Sequence, residues 1–415
     1  MSRVIIIGAG VTGITSAYTL AKLGYSVTVI DGHRDPAMET SFANGGQLSA
    51  SNAEVWNSIA TVVKGLRWIG KRNAPLLLNP AFSWHKYSWL AAFIRNIPNH
   101  KRNTIETTRL AIEARQHLYA MAEQENIDFD LQRRGILHIY HDKESFDKAL
   151  KSNALLQEGG LERYPVTSEE AQSIEPALTQ GCFAGLYTPS DATGDIQKFT
   201  TGLAAACRRL GVQFVMDATV TDITSESGIH QVAYQRYNNQ VKDVIEGEKI
   251  VVCAGTGSRA IARMLGDAMN VYPVKGYSIS VHLDDAASLA ATPRVSLLDE
   301  DAKIVTSFLG DRFRVAGTAE FNGYNKDIRA DRIEPLINWT RRMFPDIQTR
   351  RVVPWSGLRP MMPDMMPRVC QGRKSGVFYN TGHGHLGWTL SAITAQMLGE
   401  LVEKSAKQTE LRHAF

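Results

Sequence analysis

Long apolar runs are missing from this chain. No stretch approaches the roughly 18 uninterrupted apolar residues of a membrane-spanning helix, so nothing in it reads as crossing a bilayer. Cysteine is scarce: Cys182, Cys207, Cys253 and Cys370 stand far apart and form no CxxC pair. That spacing argues against zinc, an iron–sulfur cluster and a disulfide framework, and it fits a reducing cytosol. One-signed charge is also lacking. The 46 Lys and Arg against 42 Asp and Glu leave +4, too little over 415 residues to suggest a nucleic-acid partner. Internal repeats and low-complexity linkers are absent as well. The 44% hydrophobic content that remains supports one large core or two moderate ones.

The N-terminus holds a binding unit for the pyrophosphate of a dinucleotide. Val4-Ile5-Ile6-Ile7 reads as a buried strand, Gly8-Ala9-Gly10-Val11-Thr12-Gly13 as the glycine fingerprint, and Ser26 to Asp31 as a second strand closed by an acid. Gly8 permits the tight turn, Gly10 keeps a side chain off the pyrophosphate, and Gly13 lets helix and strand pack closely. The helix carries Val11, Ile14, Ala17, Tyr18 and Ala21 on one face and is expected to stop at Gly24. Its N-terminus offers unpaired N–H groups to phosphate. Asp31 is placed to accept from a ribose 2′-hydroxyl and would repel a 2′-phosphate, which disfavours NADP. The glycines also break this apolar segment too early for a secretory signal.

Charge is uneven in one place. From Val55 to Ile105 there is no Asp or Glu, while Lys64, Arg67, Lys71, Arg72, Lys86, Arg95, Lys101 and Arg102 are basic. The same window holds Trp56, Trp68, Trp84 and Trp89. Such a segment suits the headgroup layer of an anionic membrane, or it is a helical excursion packed on the body of the protein with solvated lysines.

Further on, the pattern predicts helices over 104–125, 145–157, 196–210 and 390–404, with a capping box at Thr167 to Glu170 and Asp195 as an N-cap. Strands are expected at 135–140, 212–215, 218–223, 230–236, 242–246, 249–255 and 377–380, and antiparallel strands from Tyr272 to about Thr318. The fold class is α/β with an α+β second domain: a Rossmann-like domain into which a mixed helix and antiparallel-sheet domain is inserted. The first is expected over 1–85, 165–228, 247–270 and 350–415, the substrate domain and cap over 86–164, 229–246 and 271–349.

A second glycine turn, Thr381-Gly382-His383-Gly384-His385-Leu386-Gly387-Trp388, lies between the last strand and last helix. A cofactor long enough to touch both chain ends needs two backbone-lined contacts, and FAD is such a molecule. His383 and His385 as metal ligands are the weaker reading, since no acid or cysteine cluster accompanies them.

With Glu39 to Ser49, Tyr272 to Ser278, Arg314 to Glu320, Trp355-Ser356-Gly357-Leu358-Arg359-Pro360 and the Asn380 to Trp388 run, the chain resembles the FAD-dependent D-amino acid oxidase superfamily, most closely its bacterial dehydrogenase branch. The resemblance implies oxidative deamination of a D-amino acid to a 2-oxo acid and ammonia, the α hydrogen passing as hydride to flavin N5. Glycine, D-hydroxyproline or an L-amino acid as substrate, a non-catalytic flavoprotein and an NAD-linked oxidoreductase are the alternatives. It implies Gly8, Gly10, Gly13 and Asp31 at the nucleotide, and Ser41, Asn44, Gly45, Gly46 and Gln47 around the middle and ring of FAD. Val220 would meet the adenine, Ala254 and Gly255 the pyrophosphate, and Gly384, His385, Leu386 and Gly387 the ring's pyrimidine end. Arg359 stands where similar flavoenzymes hold the substrate carboxylate, with Arg314 and Tyr277 behind it as candidates, and a structural ion pair as the competing role for Arg359. Lys275 is a second positive group near the ring or a solvated strand-end lysine. Met361, Met362, Met365 and Met366 either line an adaptable apolar pocket, which favours apolar substrates, or fill core; relatives usually carry Gly where Met365 stands. The electron acceptor is oxygen or a quinone, and the basic window favours a membrane quinone met by a cytoplasmic, peripherally bound protein.

Overall fold

The computed structural model describes residues 2–68, 75–237 and 242–413. Lys71 and Arg72 of the basic window, and the side chain of Trp68, lie outside that description. A six-stranded sheet runs in the order Arg368–Gln371, Val377–Thr381, Lys249–Val252, Arg3–Ile7, Ser26–Ile30, Gln213–Val215. Its neighbours are parallel except Arg368–Gln371, which pairs antiparallel with Val377–Thr381. From Val4 to Ile7 the strand Arg3–Ile7 is apolar and buried because both faces are covered. Val4 and Ile6 pack with Ile14, Leu118, Phe199 and Leu398, from the helices Val11–Lys22, His100–Glu125, Ile196–Arg209 and Gly387–His413. Ile5 and Ile7 pack on the opposite side with Ile223, Val232 and Ile261. There lie the helix Ser258–Met264 and a three-stranded antiparallel sheet, Ala218–Glu226, Ile229–Arg236 and Lys242–Gly247.

The second layer is a nine-stranded sheet. Its path is Val352–Met361, Tyr272–His282, Arg312–Phe321, Ile304–Leu309, Ser296–Asp299, Ile136–Tyr140, Ala184–Thr188, Tyr164–Thr167, with Leu76–Leu78 beside the end of Arg312–Phe321. The helix Ala330–Met343 covers one face, burying Leu336 and Trp339 against Tyr277, Ile279, Val281, Phe313 and Val315. The other face, carrying Ser278, Ser280 and Arg314, meets the segment around Asn44.

Several expectations hold at residue level. Thr167 and Glu170 form the capping box, Asp195 Oδ1 accepts from Gln197 N and Lys198 N at 2.8 and 3.0 Å, and Gly24 is left-handed with φ +87°. Others need correction. The expected domain limits follow chain order, whereas hydrogen bonding assigns Leu76–Leu78, Tyr164–Thr167, Ala184–Thr188 and Val352–Met361 to the nine-stranded sheet. Ile229–Arg236 and Lys242–Gly247 instead extend the hairpin begun by Ala218–Glu226. Alternation identifies a strand but not its partner. The stretch from Tyr272 to Thr318 is not purely antiparallel: Ser296–Asp299 runs parallel to Ile136–Tyr140, and a helix, Ala286–Ala291, interrupts it. The helix Ala330–Met343 was not foreseen; Pro335 within it masks the helical period.

Candidate active site

At the nucleotide end the glycines are required by close backbone approach. A Cβ on Gly8, whose φ is +113°, would lie 2.5 Å from Cys253 O, and one on Gly13 would lie 1.9 Å from Gly8 O. Gly10, the N-cap of Val11–Lys22, has no side chain to cap that helix, and the first turn holds no acid. Its amide end therefore stays available to an anion. Asp31 Oδ2 accepts from Ala9 N at 2.6 Å and Oδ1 from His33 N at 2.8 Å, which leaves each oxygen further acceptor capacity. Burial pushes its carboxyl up, against the pull of those two N–H groups. Val220 sits at the β-bulge in Ala218–Glu226.

The loop from Ser41 to Gln47 is sewn between the two layers. Ser41 Oγ accepts from Val11 N at 3.0 Å, tying the loop to the glycine turn. Gly46 N donates to Asn44 Oδ1 at 2.8 Å, Ser307 Oγ to Gly45 O at 2.6 Å, and Gly194 N to Gly46 O at 2.8 Å. A Cβ on Gly45 would meet Val305 at 2.6 Å, so only glycine lets the loop lie this close to the sheet. Gln47–Leu48 pairs with Ala192–Thr193.

The C-terminal turn closes the opposite side. Gly382 and Gly384 have φ +76° and +59°, and Cβ atoms there would strike Met362 and Met361 at 2.5 and 2.9 Å. His385 Nε2 meets Asn52 O at 3.0 Å, and its ring stacks on Trp56 at 4.8 Å. His383 Nε2 meets Thr394 Oγ1 at 2.9 Å. Burial pushes His383 down to about 3 and His385 down to about 4, so both are neutral at pH 7. Leu386 is buried, and the helix starts at Gly387, earlier than expected, which brings its amide end to the turn. Ala254 and Gly255 lead into the turn Gly255–Gly257, where Thr381 Oγ1 donates to Gly255 O at 3.4 Å.

The three substrate-end candidates occupy different environments. Arg359 lies opposite Val274 in the sheet and folds flat over Gly276, where a Cβ would stand 2.4 Å from its guanidinium. Its single protein hydrogen bond among the described residues runs from NH1 to Thr318 O at 3.1 Å, and no Asp or Glu pairs with it there. Burial without an anion pushes it down to about 10. Arg314 is instead committed: Nε to Asn44 O at 2.9 Å, NH1 to Ser280 Oγ and NH2 to Ser278 Oγ, both at 2.6 Å. It holds the loop. Tyr277 projects to the other face of its strand, within the core under Ala330–Met343, and donates to Glu320 Oε2 at 2.5 Å. The structure therefore does not bring Tyr277 to Arg359. Lys275, on the same face as Tyr277, is fully buried and donates to Asn325 Oδ1 at 2.8 Å, so it is not a solvated strand-end lysine.

Met361, Met362 and Met365 are buried in apolar clusters, so three of the four methionines fill core. Met366 is half-buried in the cluster that also holds Trp56. Trp56, Thr318 and Trp355 join the site without having been singled out for it. Trp56 was visible only as part of a basic window, and Thr318 and Trp355 only within matched segments.

The polar inventory fits a flavin dinucleotide: a helix amide end with no acid in its first turn, a glycine-only cradle, and, without partners among the described residues, the buried N–H donors of Trp355 and Trp388 and the acceptor Nδ1 of His385. Residues 3–401 match the family described as FAD dependent oxidoreductase. D-amino acid dehydrogenase 3 of Mesorhizobium japonicum is 59% identical over 403 residues, covering 97% of both chains. The D-amino acid dehydrogenase of Dechloromonas aromatica is 39% identical over 415 residues, covering 98% of both. The solved glycine oxidase of Geobacillus kaustophilus superposes with a TM-score of 0.76 at 21% identity, over 97% of this chain and 95% of that one, which is a likeness of fold. By sequence, fold and the cradle its glycines form, the chain belongs to the FAD-dependent oxidoreductase family.

Proposed function

We propose that this protein oxidises D-amino acids to 2-oxo acids and ammonia and hands the electrons to a membrane quinone. The observation that carries the reading is Arg359, a desolvated cation with no anionic partner among the described residues, lying on a bare glycine. A desolvated guanidinium with one of five donors used is a ready fork for a carboxylate. Bound FAD supplies a two-electron acceptor for the α hydrogen. The chain's share is positioning: Arg359 fixes the carboxylate, the loop around Asn44 and the turn at Gly384 to Gly387 hold the cofactor, and burial keeps water away. As hydride leaves, the amine lone pair forms the C=N bond of an imine, which water hydrolyses. Trp56, stacked on His385 and packed, like Met366, against the cluster of Trp89, Tyr272 and Met361, gives the site an apolar wall. D-Met, D-Phe and D-Ala are therefore expected to turn over faster than D-Asp or D-Lys. Anaerobic mixing of the yellow protein with a panel of D- and L-amino acids tests the whole reading: bleaching by apolar D-isomers supports it, and an unbleached spectrum with all of them defeats it.

The quinone and the membrane rest on the basic window. Among the described residues no helix is long and apolar enough to cross a membrane. Yet Phe82 is 80% and Trp84 74% exposed, with Ile59, Tyr87 and Ile94 also exposed, beside the exposed cation Arg95. That combination suits peripheral contact with an anionic leaflet on the cytoplasmic side.

A further inference from the structure

Thr318 carries two separate costs, and it touches Arg359. It lies in Arg312–Phe321 where the pairing to Tyr272–His282 shifts register, and its φ is +64°. The left-handed region is costly for any residue with a Cβ and most unusual for a β-branched one. Its hydroxyl is buried and has no hydrogen-bond partner among the described residues. An unpartnered buried hydroxyl is destabilising in its own right. Its carbonyl receives the bond from Arg359 NH1 at 3.1 Å. Glycine would relieve the backbone and remove the orphaned hydroxyl together, leaving the carbonyl in place. Among the described residues no hydrogen bond to the hydroxyl offsets what threonine costs here.

We propose that the Thr318 hydroxyl is a second substrate-binding group, donating a hydrogen bond to the carboxylate that Arg359 holds. This rests on Arg359 as the carboxylate holder. A hydroxyl has one donor and two acceptor positions, so it can give its proton to the carboxylate. The pair gives the carboxylate a fixed orientation, one oxygen bound by the fork and the other reached by the hydroxyl.

The test uses the flavin-loaded enzyme, with KM for D-alanine and the dissociation constant of propionate, a carboxylate that cannot be oxidised, read from the flavin absorbance. Thr318→Val keeps shape and removes the hydroxyl, Thr318→Gly removes hydroxyl and strain, and Thr318→Ser keeps the hydroxyl. Both Val and Gly variants should weaken propionate by about tenfold, as expected for one hydrogen bond to a charged group, with Ser close to wild type. Thr318→Gly should also melt at a higher temperature than wild type. Wild-type propionate binding by Thr318→Gly overturns the proposal, whatever its melting point. Weakening in Gly but not in Val traces the effect to the backbone and overturns it too. Arg359→Lys runs in parallel. If that variant binds propionate as wild type does, the carboxylate reading itself has failed, an outcome separate from failure of Thr318 alone.

Discussion

Arg359 and Arg314 are the same residue type in one sheet, and their hydrogen bonds divide their roles. Arg314 spends three nitrogens on Asn44, Ser278 and Ser280, whereas Arg359 has a single backbone partner among the described residues. Arg359→Ala is therefore expected to raise KM for D-alanine at least about tenfold, since a hydrogen bond to a charged group contributes roughly 1.5–3 kcal/mol. Steady-state kinetics across a wide substrate range check it, and an unchanged KM removes Arg359 from the site. Met365 poses a question of magnitude. Its φ of +64° costs about 1–2 kcal/mol, which glycine would relieve, but its side chain is 5% exposed and packs with Trp89, Tyr272 and Val274. Truncating a buried methionine costs about 2–5 kcal/mol, so Met365→Gly should be destabilising by about 1–3 kcal/mol. Urea unfolding decides it, and a stabilised variant would mean strain outweighs packing.

Among the elements, what could be read from the sequence was whatever depends on neighbours in the chain. The glycine turns, the capping box and the Asp195 cap are local chemistry, and they lie where the residues imply. Tyr277 was misjudged for a physical reason. Tyr272–His282 is buried on both faces along nearly its whole length, so period-two alternation gives no sign of which side chains meet the site. The window from Val55 to Ile105 mixed two kinds of tryptophan for a similar reason. Trp89 is 1% exposed, donates from Nε1 to Met361 O at 2.9 Å, and is core. Lys86 is buried too, its Nζ donating to the carbonyls of Asn79 and Ala81, both at 2.5 Å. Among the described residues of the window, Phe82, Trp84 and their exposed neighbours offer the apolar surface. Replacing Phe82 and Trp84 together with Ser should abolish sedimentation with phosphatidylglycerol vesicles and leave the melting temperature nearly unchanged. Pelleting equal to wild type would exclude this patch as a membrane contact.

Across the whole molecule, the loop at Ser51 and Asn52 joins the two layers and takes a histidine on each side. His138 of the nine-stranded sheet sits between Glu300 (Nδ1 to Oε1, 2.9 Å) and Ser51 (Nε2 to Oγ, 3.1 Å), while His385 of the C-terminal turn meets Asn52 O. Burial pushes His138 down to about 4, as it does His385, and His383 further to about 3. Each of these folded-state values lies below the ordinary value of 6.5. The unfolded chain therefore binds more protons as pH falls, and stability present above pH 6.5 is lost progressively between 6.5 and about 4. His141, raised by its bond to Asp299, works in the opposite sense. His85 and His230 are also pushed down by burial, so five lowered histidines stand against one, and unfolding free energy should fall by up to about 1.4 kcal/mol per pH unit for each uncompensated histidine. Glu300, held far below the ordinary carboxylate range chiefly by Lys303 and His138 against its own burial, adds losses only below pH 4.5, while Asp31 and Asp191, whose carboxyls burial pushes up, work against the histidines as they protonate. Because two of the five flank the loop joining the layers, flavin should be released in the same pH range. Denaturant unfolding and flavin fluorescence at pH 7, 6 and 5 measure both, and stability that stays flat to pH 5 would show that these imidazoles reach water in the folded protein.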